Sequence, residues 1–189
     1  MAKLEKSTTE VYKFYFQSDD EVIIKKGKPY PRIYLSGGWA FFTIDNDDGT
    51  LHIHCDWGEY TYRGFPGKTE TFKELLCRLS RDYLLRKISN ETETNWGKTK
   101  RNANRAIVCS KYLDKEEKSA ALSAIKEFEP GYHGKEESFC NMFYSYMYEW
   151  DDFNVLVREY PLKAMIAVEL FFNYLVPELS KEVLSENKG

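Results

Sequence analysis

The pattern of hydrophobic and polar positions divides the chain into a strand-rich first part and a helical remainder. Residues 11–16 (VYKFYF) and 39–44 (WAFFTI) are rich in strand-forming side chains, and residues 50–56 (TLHIHCD) alternate between apolar and polar. Turn-forming residues at 45–49 (DNDDG) separate two of these strands and predict a hairpin. With a further strand at 60–63, the sequence predicts an antiparallel meander of three or four strands.

Helical spacing replaces strand alternation after the sheet. Thr71 followed by Glu74 is a capping box, in which each side chain can bond the backbone amide of the other residue. Over residues 72–88, apolar side chains recur at i, i+3, i+4 and i+7. This spacing predicts one continuous helix.

The remaining chain is predicted to be helical apart from a polar loop over residues 89–104. Asp114, with Glu117 three positions later, predicts the start of a helix that runs to about Phe128. The other expected helices cover residues 103–113, residues 137–150 and the segment that follows Pro161, which Pro177 should kink or restart.

These elements together predict an α+β fold in a single domain, residues 1–189. An N-terminal antiparallel β-meander of three or four strands packs on a helix, and the two occupy residues 10–88. A helical C-terminal half follows at residues 103–185.

Charge and cysteine usage narrow the class of protein. The net charge is −3, but residues 73–111 carry 10 basic and 4 acidic groups, whereas residues 112–189 carry 8 and 15. Such polarity bears on partners rather than on the fold.

The four cysteines form no C-x-x-C pair and lie in apolar segments, which indicates buried, reduced thiols. No apolar run approaches the ~18 residues of a membrane span, so we expect a cytoplasmic protein with no membrane partner. We also expect no cofactor.

His52, His54 and Asp56 are the first candidates for chemistry. Alternation along a strand places their side chains on one face, and His-x-His is a spacing that metal sites use. Asp56 lies roughly 13 Å along the strand from His52, at ~3.3 Å per residue, which is too far to share one metal ion. The prediction is therefore a solvated sheet face without a metal, and a metal-dependent enzyme at His52 and His54 is an alternative.

Two charged segments are candidates for partner contacts, with solvated surface as the alternative for both. The first is basic and could contact a phosphate backbone and stack on a base: Trp96, Lys98, Lys100, Arg101 and Arg105. The second is acidic, interleaved with tyrosine, and could dock on a basic groove of a nucleic-acid-handling protein: Glu136, Glu137, Tyr144, Tyr148, Glu149, Asp151 and Asp152.

The sequence contains no nucleophile elbow, phosphate loop, H-E-x-x-H or dinucleotide fingerprint. No catalytic residue is therefore assigned, and an enzyme is not expected.

Three stretches of the chain resemble a group of bacteriophage and prophage proteins. Residues 56–63 (DWGEYTYR) are similar to its Asp–aromatic–Gly–x–Tyr–x–aromatic strand, and residues 72–88 (FKELLCRLSRDYLLRKI) to its helix F-x-x-F-L-x-x-L-x-x-D-Y-L-x-x-K-I. Residues 171–179 (FFNYLVPEL) are similar to its aromatic–x–x–I–x–P–x–L close. The similarity covers most of residues 40–180 and departs at Gly64 and Phe65, where the group usually has a tryptophan.

This resemblance implies a phage or prophage origin and no catalytic mechanism. Together with the polarised charge, it predicts a non-enzymatic phage accessory protein that binds a host macromolecule in the bacterial cytoplasm. The most concrete version is a protein inhibitor of a bacterial defence system, of the anti-CRISPR kind, with a nucleic-acid-handling host protein as its partner. The alternatives are a nucleic-acid-binding module that uses the basic segment 96–111, and the metal-dependent enzyme at His52 and His54.

Overall fold

The structure of the chain is a computed structural model that describes residues 9–24, 31–89, 92–129, 135–147 and 155–186. It divides into two compact units, one formed by residues 1–91 with 160–189 and the other by residues 92–159. We call them the sheet unit and the helical unit. The helices that end the chain belong with the sheet, whereas the predicted helical part, 103–185, grouped them with the helices before them. The single-domain organisation stays a prediction.

The elements are numbered in chain order. The strands are β1 (Thr9–Tyr15), β2 (Glu21–Ile23), β3 (Arg32–Tyr34), β4 (Trp39–Asp45), β5 (Thr50–Cys55), β6 (Gly58–Arg63), β7 (Glu93–Thr94) and β8 (Arg158–Glu159). The helices are α1 (Phe72–Cys77), α2 (Arg81–Ile88), α3 (Trp96–Cys109), α4 (Lys115–Glu127), α5 (Lys135–Tyr144), α6 (Leu162–Leu170) and α7 (Val176–Glu186), with a π-helical segment at Phe171–Leu175 between the last two.

The main sheet of the sheet unit has four antiparallel strands in the order β1-β4-β5-β6. The predicted meander and its central hairpin are confirmed. The connection between β1 and β4 contains β2 and β3, which pair with each other as a separate small hairpin. In the turn from β4 to β5, Gly49 has φ +61°, a conformation that glycine adopts without strain.

Side chains alternate between the two faces of this sheet. On the inner face, Phe42, Ile44, Leu51 and Ile53 are at most 1% exposed. This alternation follows from the pleat, which sends successive side chains to opposite faces. The inner face packs on the helices of the same unit, where Phe171 of the π-helical segment lies 6.4 Å from Phe42 between ring centroids.

The predicted continuous helix over 72–88 is wrong, because the chain breaks it into α1 and α2 at residues 78–80. Thr71 caps α1 through the predicted capping box with Glu74. Ser80 then caps α2, and its hydroxyl accepts a hydrogen bond from the amide of Tyr83 at 3.2 Å. The apolar spacing runs on across the break, so periodicity alone gives no sign of it.

The two last helices are joined by a widened turn. The amide of Val176 donates to the carbonyl of Phe171, five residues earlier, instead of the usual four. Pro177 follows at once and lacks an amide proton, and its ring would crowd the carbonyl four residues earlier in a regular helix. The prediction that Pro177 disturbs this helix is confirmed in the form of the π-helical segment.

The helical unit packs α3, α4 and α5 around a small core of Ile107, Ile125, Phe139 and Phe143. The predicted capping box of Asp114 and Glu117 at the start of α4 is confirmed. The predicted loop over 89–104 is wrong from residue 96 onward, because α3 begins there.

Asn95 explains the early start of α3. Its side-chain oxygen accepts a hydrogen bond from the amide of Lys98 at 2.9 Å and so caps the helix. Thr99 and Ala103, one helical turn apart, are buried along this first part of the helix. They are too small and too polar to give a strong hydrophobic period.

The four cysteines are free thiols with different exposure. Cys55 is buried, Cys77 and Cys140 are half-buried, and Cys109 is exposed. Burial of Cys109 was predicted wrongly, because this last residue of α3 lies off the buried stripe of Ala103 and Ile107. Within the described part of the chain, no helix combines the length and the apolar composition that crossing a membrane requires.

Candidate functional site

The outer face of the four-stranded sheet carries a cluster of aromatic side chains, which we call the open face: Lys13, Tyr15, Trp39, Phe41 and His54. The register brings these residues together, because Tyr15 pairs with Trp39 and Phe41 pairs with both Lys13 and His54. Tyr15 is 67% exposed, and Trp39 and Phe41 are half-buried and lie outside the core cluster of the described part of the sheet unit. An apolar cluster left exposed on a sheet is typical of a contact surface.

The rings of the open face support one another. The ring of Trp39 lies 4.8 Å from that of Phe41 and 4.7 Å from that of His54, the second pair at 90°. Tyr15 meets Phe41 edge to face at 5.8 Å, and the ammonium of Lys13 lies 5.5 Å from the centre of the Phe41 ring. Side chains held by such contacts lose little further freedom when a partner binds.

The two histidines share this face, as predicted, but they do not form a joint site with Asp56. Nδ1 of His52 lies 3.1 Å from the hydroxyl of Thr61, and Nε2 of His54 lies 3.1 Å from a carboxylate oxygen of Glu59. Asp56 instead accepts a hydrogen bond from the backbone amide of Trp39 at 3.0 Å. Over the described ranges, no three His, Cys, Asp or Glu side chains lie together as a metal site would require.

The predicted basic segment forms part of α3, and most of its side chains have structural partners. Trp96 is half-buried and packs against the core of the helical unit, 5.6 Å from the ring of Phe128. Lys98 pairs with Glu159 at 2.5 Å, and Lys100 donates to the carbonyl of Phe128 at 2.6 Å.

Arg101 and Arg105 are the members of the basic segment that stay exposed, one helical turn apart on α3. The contacts of Trp96 with Phe128 and Phe139 cover part of the ring that base stacking would use. The nucleic-acid alternative therefore rests on two arginines and stays a prediction.

The predicted acidic surface is only partly described. Tyr148, Glu149, Asp151 and Asp152 lie outside the described residues. Glu137 and Tyr144 are exposed along one side of α5, separated by two helical turns.

Glu136 has two polar partners within the helical unit. Its carboxylate accepts a hydrogen bond from the hydroxyl of Thr94 and pairs with Arg158 at 2.5 Å. The Thr94 hydroxyl lowers the pKa of Glu136, burial opposes this, and Arg158 lowers the pKa further. The acidic contact surface stays a prediction, with Glu137 and Tyr144 as its described members.

A charged cluster in the sheet unit was missed by sequence reasoning. The ammonium of Lys73 on α1 lies 2.8 Å from Glu10 on β1 and 2.7 Å from Glu182 on α7, and its side chain is 11% exposed. The hydroxyl of Tyr12 lies between the two carboxylates, 2.9 Å from Glu10 and 2.8 Å from Glu182, and its one proton can be shared by them. Burial alone would lower the pKa of Lys73, but its bonds to Glu10 and Glu182 raise it overall. The cluster joins three elements and has a structural role.

The open face was also missed, although the sequence contained a usable signal. Trp39 and Phe41 occupy alternate positions of β4, the strand beside the histidine strand, and Tyr15 lies on β1, the next strand out. The hairpin register places Phe41 opposite His54. Applying the period of two to both strands would have put these aromatic residues on the face of the histidines.

A protein family described as a phage family matches residues 5–181 of the chain. Neither the curated proteins nor the solved structures contain a match.

Proposed function

The chain belongs to this phage protein family, and on that premise we propose that it is a non-enzymatic accessory protein that binds a host protein. The most concrete form of the proposal is an inhibitor of a bacterial defence system, of the anti-CRISPR kind. The observation that carries the proposal is the open face, an aromatic cluster of mutually packed rings on the outer side of the sheet.

The composition of the open face favours a protein as the partner over a nucleic acid. Its rings meet edge to face or at a tilt, so they offer a continuous apolar surface rather than separate planes for stacking bases. The charges around it are mixed, since Lys13 lies on one side and Glu59 on the other. A polyanion would be repelled by Glu59, whereas protein interfaces combine an aromatic centre with a polar rim of both signs.

The acidic surface on α5 is a second contact proposal for the same function. Glu137 and Tyr144 present a carboxylate and a phenol to solvent from one side of a helix. Such groups can take the place of phosphates and stacked bases in the basic groove of a defence effector. The experiment below is designed to assign the contact to one surface or the other.

The test expresses the protein in bacteria whose CRISPR system targets an incoming phage and measures the efficiency of plating. We expect wild-type protein to raise plating. The variant Tyr15→Ser with Phe41→Thr should lose the effect, because removing two aromatic anchors costs about 2 kcal/mol, or roughly thirtyfold in affinity. Tyr112→Ser is the matched control, since Tyr112 is 72% exposed but lies in the helical unit. Circular dichroism and melting curves check that each variant folds.

Affinity capture from host lysate, with the purified effector as follow-up, identifies the partner. Loss of plating with Glu137→Ala and Tyr144→Ala instead of the open-face variant would move the contact to α5. If plating stays unchanged under the defence systems assayed and no defence protein is captured, the proposal is wrong.

A further inference from the structure

The sheet unit also has a concave surface, which lies beside α2 at the end of edge strand β6. This cavity has a volume of about 690 Å³, which is within the range of sites that hold small ligands. The residues that give it chemical character are Arg63, Phe65, Arg78, Tyr83 and Lys87. It is separate from the open face, which lies on β1, β4 and β5.

The charge of the cavity has one sign. Three cationic side chains line it, and none of its lining residues is an aspartate or a glutamate. Arg78 forms an ion pair with Glu70, which does not line the cavity. Two nitrogens of Arg78 donate to the Glu70 carboxylate, one of them at 2.8 Å. Among the described residues, Arg63 and Lys87 form no ion pair. Within the described part of the chain, these two positive charges have no acidic partner, and they suit an anion.

Aromatic rings accompany these two charges. The guanidinium of Arg63 lies 5.8 Å from the centre of the Phe65 ring, and the ammonium of Lys87 lies 5.6 Å from that of Tyr83. Phe65 is 79% exposed, so its ring is accessible to a ligand in the cavity. With Arg63 against the ring, the opposite side of Phe65 can receive a planar group.

A hydrogen-bond donor also lines the cavity. Tyr62 packs against Tyr83, with the two rings in edge-to-face contact at 6.3 Å. Burial, together with the nearby phenol of Tyr83, raises the pKa of Tyr62 to about 12. The Tyr62 hydroxyl is therefore protonated at neutral pH and can donate a hydrogen bond to an anionic oxygen.

We propose that this cavity binds a nucleotide, with its phosphate between Arg63 and Lys87 and its base stacked on Phe65. The charge pair recognises the phosphate, and the exposed ring recognises a flat heterocycle that a sulfate or a plain carboxylate lacks. A free nucleotide and a nucleotide within single-stranded nucleic acid share this chemistry. The proposal does not rest on the function proposed above, because none of its residues belongs to the open face.

Calorimetric titration of the full chain distinguishes these sources. The probes are adenosine mono- and triphosphate, a single-stranded oligothymidylate and inorganic phosphate. We expect a nucleotide or the oligonucleotide to bind more tightly than inorganic phosphate. Tighter binding of the free nucleotides assigns the site to small molecules, and tighter binding of the oligonucleotide assigns it to a strand; either result supports the site.

Variants at the cavity then test the assignment. Arg63→Gln with Lys87→Gln should weaken binding of the preferred probe by about tenfold or more. Arg86→Gln is the matched control, since Arg86 is an exposed cation of α2 that does not line the cavity. Phe65→Ala should weaken the nucleotide probe and leave inorganic phosphate unchanged. Absence of binding by every probe, or binding that Arg63, Lys87 and Phe65 variants leave intact, would overturn the proposal.

Discussion

Replacing Lys73 by methionine tests whether the charged cluster of Lys73, Glu10 and Glu182 stabilises the sheet unit. Methionine keeps most of the volume of the side chain but removes the ammonium. The two carboxylates would then face each other without a cation, because Lys73 lies within 2.8 Å of Glu10 and 2.7 Å of Glu182.

The expected loss of stability follows from the burial of the three groups. Breaking a fully buried ion pair costs about 3–5 kcal/mol. Here the lysine side chain is 11% exposed, but those of Glu10 and Glu182 are 32% and 38% exposed, so water screens part of the interaction. Lys73→Met should therefore destabilise the chain by about 2 kcal/mol at neutral pH.

The pH dependence gives the sharper test. Burial raises the pKa of Glu10, but its bonds to Lys73, Tyr12 and Asn46 lower it overall. A carboxyl group whose pKa is lowered by folding stabilises the folded state at pH values above its unfolded pKa of about 4.3. This stabilisation is lost as the pH falls through the folded pKa. Because the pKa of Lys73 is raised in the folded state, Lys73 stabilises that state at pH values below its unfolded pKa of about 10.4. This stabilisation is lost only as the pH rises through the folded pKa. The difference between wild type and variant should therefore be largest between about pH 5 and pH 10.

Urea unfolding at pH 7 and at pH 3.5 measures this difference. Lys181→Met is the matched control, since its pair with Glu178 on α7 is exposed, with side chains 70% and 44% accessible. It should change stability by less than about 0.5 kcal/mol. If Lys73→Met loses the same stability at both pH values, the effect comes from packing and the electrostatic reasoning is refuted.

Two further predictions concern turns and caps. Gly49→Ala should destabilise by about 2–4 kcal/mol in thermal melts, because a Cβ would lie 2.2 Å from the carbonyl oxygen of Gly64 at a φ of +61°. Gly67→Ala, whose Cβ would meet nothing within 4 Å, is the control, and equal effects of the two changes would contradict the prediction. Asn95→Ala should cost about 1 kcal/mol through loss of the cap on α3. Faster hydrogen exchange at the Lys98 amide measures this, and unchanged exchange would argue against the cap.

The strands could be predicted from sequence because two independent signals agreed there. The residues that alternate along β5 are the same residues that the turn before it brings into register with β4. The capping boxes at Thr71 and Asp114 were readable for a similar reason, since each is a local interaction between two nearby side chains and the backbone.

The elements that sequence reasoning missed depend on competition between signals. At Ser80, a local cap interrupts a helix whose apolar spacing continues across the break. In the first half of α3, small residues such as Ala103 fill the space beside the core without producing a strong hydrophobic period. The cavity beside α2 cannot be predicted from the sequence, because Arg63 and Lys87 are 24 positions apart and line the same cavity only through the packing of α2 beside β6.

The position of β1 at the edge of the sheet has a consequence for self-association. Among the described strands, none pairs with its outer edge, and Val11 and Tyr15 leave apolar surface beside that edge. Edge strands of this kind are where copies of a protein aggregate, and a lysine within the strand is a common safeguard. Lys13, in the second half of β1, would place like charges close together when two such edges align. The residue that lies over Phe41 thus also opposes polymerisation of the protein through its own edge strand.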